Sequence, residues 1–358
     1  MPSLFDPLAF QHGPAMKNRF MLAPLTNLQS HVDGRLSDDE YHWLTLRARG
    51  GFGLTMTCAS HVQARGQGFP GQLGCWSDWH LDGLQRLAAG IHAAGSLAFV
   101  QLHHAGMRSP ADLIGTPPVC PSDDAETGAR ALTLAEVEEL REDFVAAAVR
   151  ADRAGFDGVE LHGAHGYILS QFLSPKYNHR DDRYGGSLEQ RGRLVFEIVA
   201  GIRARCRPDF TLGLRVSPER FGLELGEMRE FVQRVLHDGR LDFVDLSLWD
   251  AFKLPNEAAF QERPLLDWFM DFDRGAVRVG VAGRIMDGGT ARKCLEHGAD
   301  FVTIGRGAVL HHDFPEQVRA NPGFAAIPLP VTAEHLRAEG LGPAFIEYMK
   351  TWQGFVAA

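Results

Sequence analysis

No apolar run in this 358-residue chain reaches the length of roughly 20 residues that a membrane-spanning helix needs. Residues 1–6, Met-Pro-Ser-Leu-Phe-Asp, lack the basic and apolar regions of a signal peptide, so a cytoplasmic location without membrane association is expected. Basic residues are in the minority. The 36 Lys and Arg against 45 Asp and Glu leave a net charge of −9, which argues against nucleic-acid partners. Cysteine is scarce: Cys58, Cys75, Cys120, Cys206 and Cys294 are odd in number and contain no C-x-x-C. A self-contained zinc ribbon is thereby excluded, an all-cysteine cluster is disfavoured, and inert thiols in a reducing compartment are expected. Also missing are an H-E-x-x-H metal motif and a G-x-G-x-x-G after the first predicted strand, where Ala23-Pro-Leu-Thr-Asn-Leu28 stands instead.

What the chain does have is alternation. Apolar runs that read as strands fall at about 19–23, 54–59, 97–102, 158–161, 211–216, 243–247, 277–281 and 300–304. Between them lie stretches with helical spacing, at about 37–49, 78–94, 133–154, 188–205, 227–237 and 287–296. Ser37-Asp-Asp-Glu40 and Thr133-Leu-Ala-Glu136 read as capping boxes, in which the hydroxyl takes a free helix N–H and the Glu reaches back. Eight such units imply an α/β fold of the (β/α)8 TIM-barrel type rather than an open doubly wound sheet. One domain is expected over 1–358, with the barrel at about 19–315, an irregular or hairpin N-terminal lid segment over 1–18, and a helical tail at 316–358 whose Tyr348, Trp352 and Phe355 would dock on its own barrel, the preferred reading, or reach a neighbouring subunit. The connection at 103–131 exceeds the usual length and suggests function, 174–187 is another long loop, and 248–275 is an ill-defined segment.

In such a barrel the chemistry sits past the C-terminal ends of the strands. Gly283-Arg284 follows the seventh strand, and Gly305-Arg306-Gly307 follows the eighth and opens a short helix. Those are the usual places for a phosphate, with backbone N–H groups and a charged fork as donors. After the fourth strand come His162, His165 and Tyr167 within six residues. The two histidines could bind a metal, pack, or donate to one carbonyl oxygen, with Tyr167 as a proton source. No metal site is expected, since no carboxylate lies in the turn after His165. Thr26, Ala59, Gln101 and Arg215 stand at or near other strand ends and add a polar ring-binding surface, Gln101 for an amide-like edge and Arg215 for an anion.

The motifs Asn18-Arg-Phe-Met-Leu-Ala-Pro-Leu-Thr26, Gln101-Leu-His-His-Ala-Gly106, Glu160-Leu-His-Gly-Ala-His-Gly-Tyr167, Gln171-Phe-Leu-Ser-Pro175 and Asn178-His-Arg-Asp-Asp-Arg-Tyr-Gly-Gly-Ser187 resemble those of the old yellow enzyme family of flavin-dependent ene-reductases. The resemblance spans about residues 4–315. It implies a noncovalent FMN with its phosphate at Gly283, Arg284, Gly305 and Arg306. Backbone at Pro24, Leu25 and Ala59 would line the ring, Thr26 would tune it, Gln101 would bind its pyrimidine edge, and Arg215 would stabilise its reduced form. NADH or NADPH would leave a hydride on flavin N5 and depart. An enone would follow, its carbonyl held by His162 and His165 and its α carbon protonated by Tyr167. Leu28 and Met107 depart from the pattern, the first in the substrate pocket and the second by lengthening Ala-Gly-Arg to Ala105-Gly-Met-Arg108. A monomer or homodimer is expected. The rivals are a flavin-binding redox sensor and a flavin-free phosphate-binding isomerase or lyase.

Overall fold

The computed structural model describes residues 2–357. Eight strands close into one parallel barrel: β1 (Phe20–Leu22), β2 (Leu54–His61), β3 (Leu97–His103), β4 (Gly158–Gly163), β5 (Thr211–Val216), β6 (Phe243–Ser247), β7 (Arg278–Ala282) and β8 (Phe301–Ile304). Each pairs with its neighbour in sequence, and β8 returns to β1 with Val302 opposite Phe20. The expected strands are all present. Helices cover the outside, among them Asp38–Arg49, Leu81–Ala93, Leu134–Arg153, Leu188–Arg205, Leu225–Asp238 and Gly288–Glu296. On Leu134–Arg153 the residues at helical spacing, Val137, Leu140, Phe144, Ala147 and Ala148, are the ones buried against the barrel.

Side chains alternate in direction along a strand, so the barrel interior is filled in layers. The lowest layer is apolar. Phe99, Phe243 and Phe301 fill it, and glycines on neighbouring strands leave the room. A Cβ at Gly213 would lie 2.1 Å from the Phe243 ring, and one at Gly280 2.1 Å from the Phe301 ring. Two residues further along each strand the interior turns polar: Gln101, Glu160, Arg215, Asp245 and Thr303, all buried. Another two residues bring His103 and His162 to the strand ends. The same period of two thus makes a greasy floor and a polar ceiling.

The floor is closed from below by the N-terminal hairpin, where Leu8 and Met16 exchange backbone hydrogen bonds of 3.0 and 2.9 Å. Leu8, Phe10 and Met16 pack on Met21, Leu54 and the three phenylalanines. This segment therefore covers the end of the barrel opposite the histidines. Of the two capping boxes, Thr133 and Glu136 form one in full, worth about 1 kcal/mol on the N-cap side. Ser37 accepts from the Glu40 N–H, but the Glu40 carboxyl does not reach back. It turns into the protein to meet Asn27 and Ser30, tying down the loop after β1.

The tail forms the helices Phe314–Ala320, Ala333–Ala338 and Pro343–Lys350 and docks on its own chain, Phe345 edge-on to Trp43 at 4.8 Å. Among the described residues no helix is long and apolar enough to cross a membrane. All five cysteines are free. Burial holds the thiols of Cys75 and Cys294 up at about 12, which makes them packing groups.

Candidate active site

The polar ceiling is one connected set. Gln101 on β3 lies in register with Glu160 on β4, and its Nε2 donates to Glu160 Oε1 at 2.7 Å. Arg215 on β5 is in register with His162 on one side and Asp245 on the other. Its Nε lies 3.0 Å from Asp245 Oδ2, close enough for charge pairing but not aligned as a hydrogen bond, so both atoms lack a hydrogen-bond partner. Thr303 donates to the other Asp245 oxygen at 3.1 Å. Two fully buried carboxyls therefore face one guanidinium. Burial first, and then Asp245, raises Glu160 above the carboxylate range, while Arg215 and Gln101 oppose the shift. Asp245 is raised by burial and held back by Arg215. Both directions say that the pair retains a proton that free carboxyls would have lost. Glu160 Oε2 has no partner in the protein.

Above this layer the His162, His165 and Tyr167 rings converge. Centroids are 5.0 Å apart for His162 and His165, 5.2 Å for His162 and Tyr167, and 6.5 Å for His165 and Tyr167. His165 reaches this position through a left-handed backbone, φ 60°, and is pinned by Ser247 Oγ at 2.7 Å from its Nε2 and by Ser217 Oγ on its N–H. Burial pushes the His162 imidazole well below its usual value, with His165, His103 and Arg215 adding to the effect. Burial and then Arg215 hold His165 down at about 3. Both rings are therefore neutral at pH 7, each with one N–H to give. His162 Nδ1 is buried without a protein partner. Burial raises the Tyr167 phenol, and the nearby Arg108 opposes that shift. No three of the described His, Cys, Asp or Glu side chains converge as metal ligands would.

Beside the trio runs a cavity of about 280 Å³. Pro24 and Leu25, Arg215, Gly283 and Arg284, and Gly305 and Arg306 all line it, together with His165. Arg306 opens the helix Arg306–Leu310, and among the described residues the only acid paired with Arg284 is Asp250, at 3.9 Å. The set fits FMN. Two poorly neutralised arginines and a helix start face one stretch of wall, as a phosphate requires, and Arg215, with an orphaned Nε, faces another. Gly283 fits for a second reason: a Cβ there would lie 2.5 Å from Ala251 N, so backbone is packed tightly behind the wall. Three expected contacts are not on this wall. Ala59 and Gln101 face each other across β2 and β3, with Gln101 committed to Glu160, and Thr26 is half-buried in the loop after β1.

Several residues at the site were not singled out from the sequence. His103 ends β3 with its ring 4.4 Å from that of Tyr167 and 5.3 Å from that of His162. Its place at a strand end beside His104 was the available signal. Trp352, one of the tail aromatics expected to dock on the barrel, lines the cavity that fits FMN, a target that nothing local in the sequence announces. Ser247, which ends β6, and Trp249, just past it, join that cavity to a second one of about 350 Å³ walled by Tyr167 and Phe221.

Residues 3–322 match the model of the NADH:flavin oxidoreductase / NADH oxidase family. The probable NADH-dependent flavin oxidoreductase YqiG of Bacillus subtilis is 35% identical over 327 residues, which are 88% of this chain and 87% of that protein. The solved old yellow enzyme homologue from Zymomonas mobilis superposes with a TM-score of 0.80 at 27% identity, over 97% of this chain and 99% of the other. Morphinone reductase in complex with tetrahydroNAD superposes with a TM-score of 0.78 at 27% identity, over 94% of each chain. This chain also spans between 32% and 49% of the length of three longer relatives.

Proposed function

This chain belongs to the NADH:flavin oxidoreductase / NADH oxidase family, and from that premise we propose that it is an FMN-dependent ene-reductase, acting on the activated C=C bond of α,β-unsaturated carbonyl compounds with NADH or NADPH as reductant. The observation that carries this reading is the convergence of two neutral imidazoles and a phenol, of which His165 lines the cavity that fits FMN and Tyr167 the cavity joined to it. Bound FMN supplies the carrier that accepts a hydride from the nicotinamide and passes it to the alkene.

The chain's own residues do the rest. Arg284, Arg306 and the backbone at Gly283 and Gly305 hold the phosphate. Arg215 would set a buried positive charge toward the bound ring and stabilise its reduced form, with Asp245 and Glu160 partly offsetting that charge. His162 and His165 donate N–H bonds to the substrate carbonyl. Because they are neutral, they lose no proton to it. Their bonds strengthen as negative charge grows on the oxygen, which lowers the barrier instead of merely tightening the ground state. Tyr167 holds its proton, since its ionisation is disfavoured, and delivers it to the α carbon. Nicotinamide and alkene use the same face in turn, which gives ping-pong kinetics and removes any need for a second nucleotide fold.

Anaerobic titration tests this. Purified protein should carry flavin absorbance, lose it with NADH or NADPH, and regain it with an enone. Tyr167→Phe should slow reoxidation by the enone by roughly 100- to 10,000-fold, the usual weight of a general acid, and leave reduction by nicotinamide unchanged. Equal loss in both half-reactions would remove Tyr167 from the proposed role.

A further inference from the structure

The second cavity contains two cations that no carboxylate neutralises. Arg108 and Arg220 both line it, and neither takes part in an ion pair among the described residues. Arg108 donates to the His165 carbonyl at 2.5 Å, and its guanidinium lies 4.8 Å over the Tyr167 ring. Arg220 lies 5.6 Å from both the Phe221 and the Trp249 rings. The one acid on the wall, Glu219, is spent on Lys253 and on the Asn256 N–H at 2.8 Å. The backbone supports the same conclusion. Arg220, Phe221 and Trp249 all have positive φ, at 70°, 53° and 62°. Each such residue costs on the order of 1–3 kcal/mol and persists only where the surroundings impose it. Here the result is that all three side chains line one cavity, with the Trp249 indole 72% exposed. The exposed Trp249 and the Arg220 guanidinium, 5.6 Å from its ring, stand beside the histidines with no carboxylate paired to the charge.

The cavity meets the cofactor cavity at His165, Ser247 and Trp249. A ligand held by its carbonyl at His162 and His165 can therefore run past Tyr167 into it. We propose that this second cavity is an anion subsite, in which a flat apolar body rests on Phe221 and Trp249 and a remote carboxylate or phosphate is bound by Arg220, with Arg108 adding charge from the Tyr167 side. It rests on the preceding reading for the direction in which the ligand lies. The anion has two sources, a carboxylate on the alkene substrate or a phosphate of the nicotinamide dinucleotide.

The test uses the FMN-loaded protein and the variants Arg220→Gln and Arg220→Lys. Three quantities are compared: kcat/KM for a cyclic enone bearing a remote carboxylate against its neutral amide, KM for NADH against reduced nicotinamide mononucleotide, and the affinity of 4-hydroxyphenylacetate against 4-hydroxyphenylacetamide, read from the flavin spectrum. A charge-assisted hydrogen bond is worth about 1.5–3 kcal/mol, so Arg220→Gln should lower the carboxylate enone's kcat/KM by roughly 10- to 150-fold. The amide should change by less than about twofold, and Arg220→Lys should recover much of the loss. A loss confined to NADH, sparing the mononucleotide, assigns the subsite to the dinucleotide phosphate and supports it equally. Losses that are the same for charged and neutral ligands, or no loss in any pair, overturn the proposal. If the wild type reduces no enone at all, the ene-reductase reading fails, while the two phenolic ligands still decide the subsite.

Discussion

His103 has no hydrogen-bond partner on either ring nitrogen, yet it touches both His162 and Tyr167. Such a residue makes sense as an uncharged wall. Burial pushes it well below its usual value, so it adds no cation beside the donors. Glu160 keeps the layer below from adding an anion. Its raised value has a consequence for stability: the folded state holds a proton that the unfolded chain releases above the normal carboxylate range. The stabilisation is complete at pH below that range and is lost as pH rises through the raised folded value. Glu160→Gln has the same shape and no proton to lose. Relative to wild type, the variant should therefore gain stability on going from pH 5 to pH 8, by at most about 1.4 kcal/mol per pH unit. Urea unfolding of both proteins across that range measures the difference, and parallel curves would mean that Glu160 titrates normally. Only half of this was legible in the sequence. That Gln101 and Arg215 sit at strand ends follows from strand position. That Gln101 pairs with Glu160 and Arg215 with Asp245 depends on barrel register, which no single strand's sequence reveals.

The tail reaches the cofactor cavity through a run of aromatic contacts. Trp43 meets Phe345, Phe345 stacks on Tyr348 at 6.4 Å, Tyr348 meets Trp352 at 6.0 Å, and Trp352 lines the cavity. The helix Pro343–Lys350 thus anchors at one end and presents a wall at the other. Trp352→Ala should raise the dissociation constant for FMN by about tenfold, equivalent to about 1.4 kcal/mol. Phe345→Ala, which removes the anchor without touching the cavity, should act in the same direction. Recovery of flavin fluorescence on release gives both constants, and unchanged values in both variants would mean that the tail is only a neighbour. The strands and outer helices were readable because period and capping are local signals. Tail docking was anticipated, but its target was not, because an aromatic at position 352 records nothing about which cavity it will wall. Glu40 shows the opposite failure. Its spacing after Ser37 fits a capping box, but a buried Ser30 and Asn27 compete for the carboxyl and win.

At the scale of the whole barrel, five buried histidines gather at one end. His61, His103, His104, His162 and His165 are all depressed, chiefly by burial, with His61, His104 and His165 at about 3. In the unfolded chain they take up protons from pH ~6.5 downward, and in the folded protein they do not. Stability contributed by keeping them neutral is therefore present above pH ~6.5 and falls as pH drops toward their folded values, by about 1.4 kcal/mol per pH unit for each fully responding ring. The urea midpoint should already decline between pH 7 and pH 5, before ordinary carboxylates titrate. A flat midpoint over that interval would contradict the depressed values. The opposite end of the barrel has its own consequence. The hairpin carrying Leu8 and Met16 is held by partners far along the chain: the His12 N–H donates to Asp242, 230 residues away, and Arg278 reaches the Ala9 carbonyl across 269. At typical translation speeds of about 5–20 residues per second, roughly 10–50 s separate the emergence of His12 from the ribosome and that of Asp242. During that interval Phe10 and Met16 lack Phe243 and Phe301, so the segment can seat fully only after nearly the whole barrel has been made.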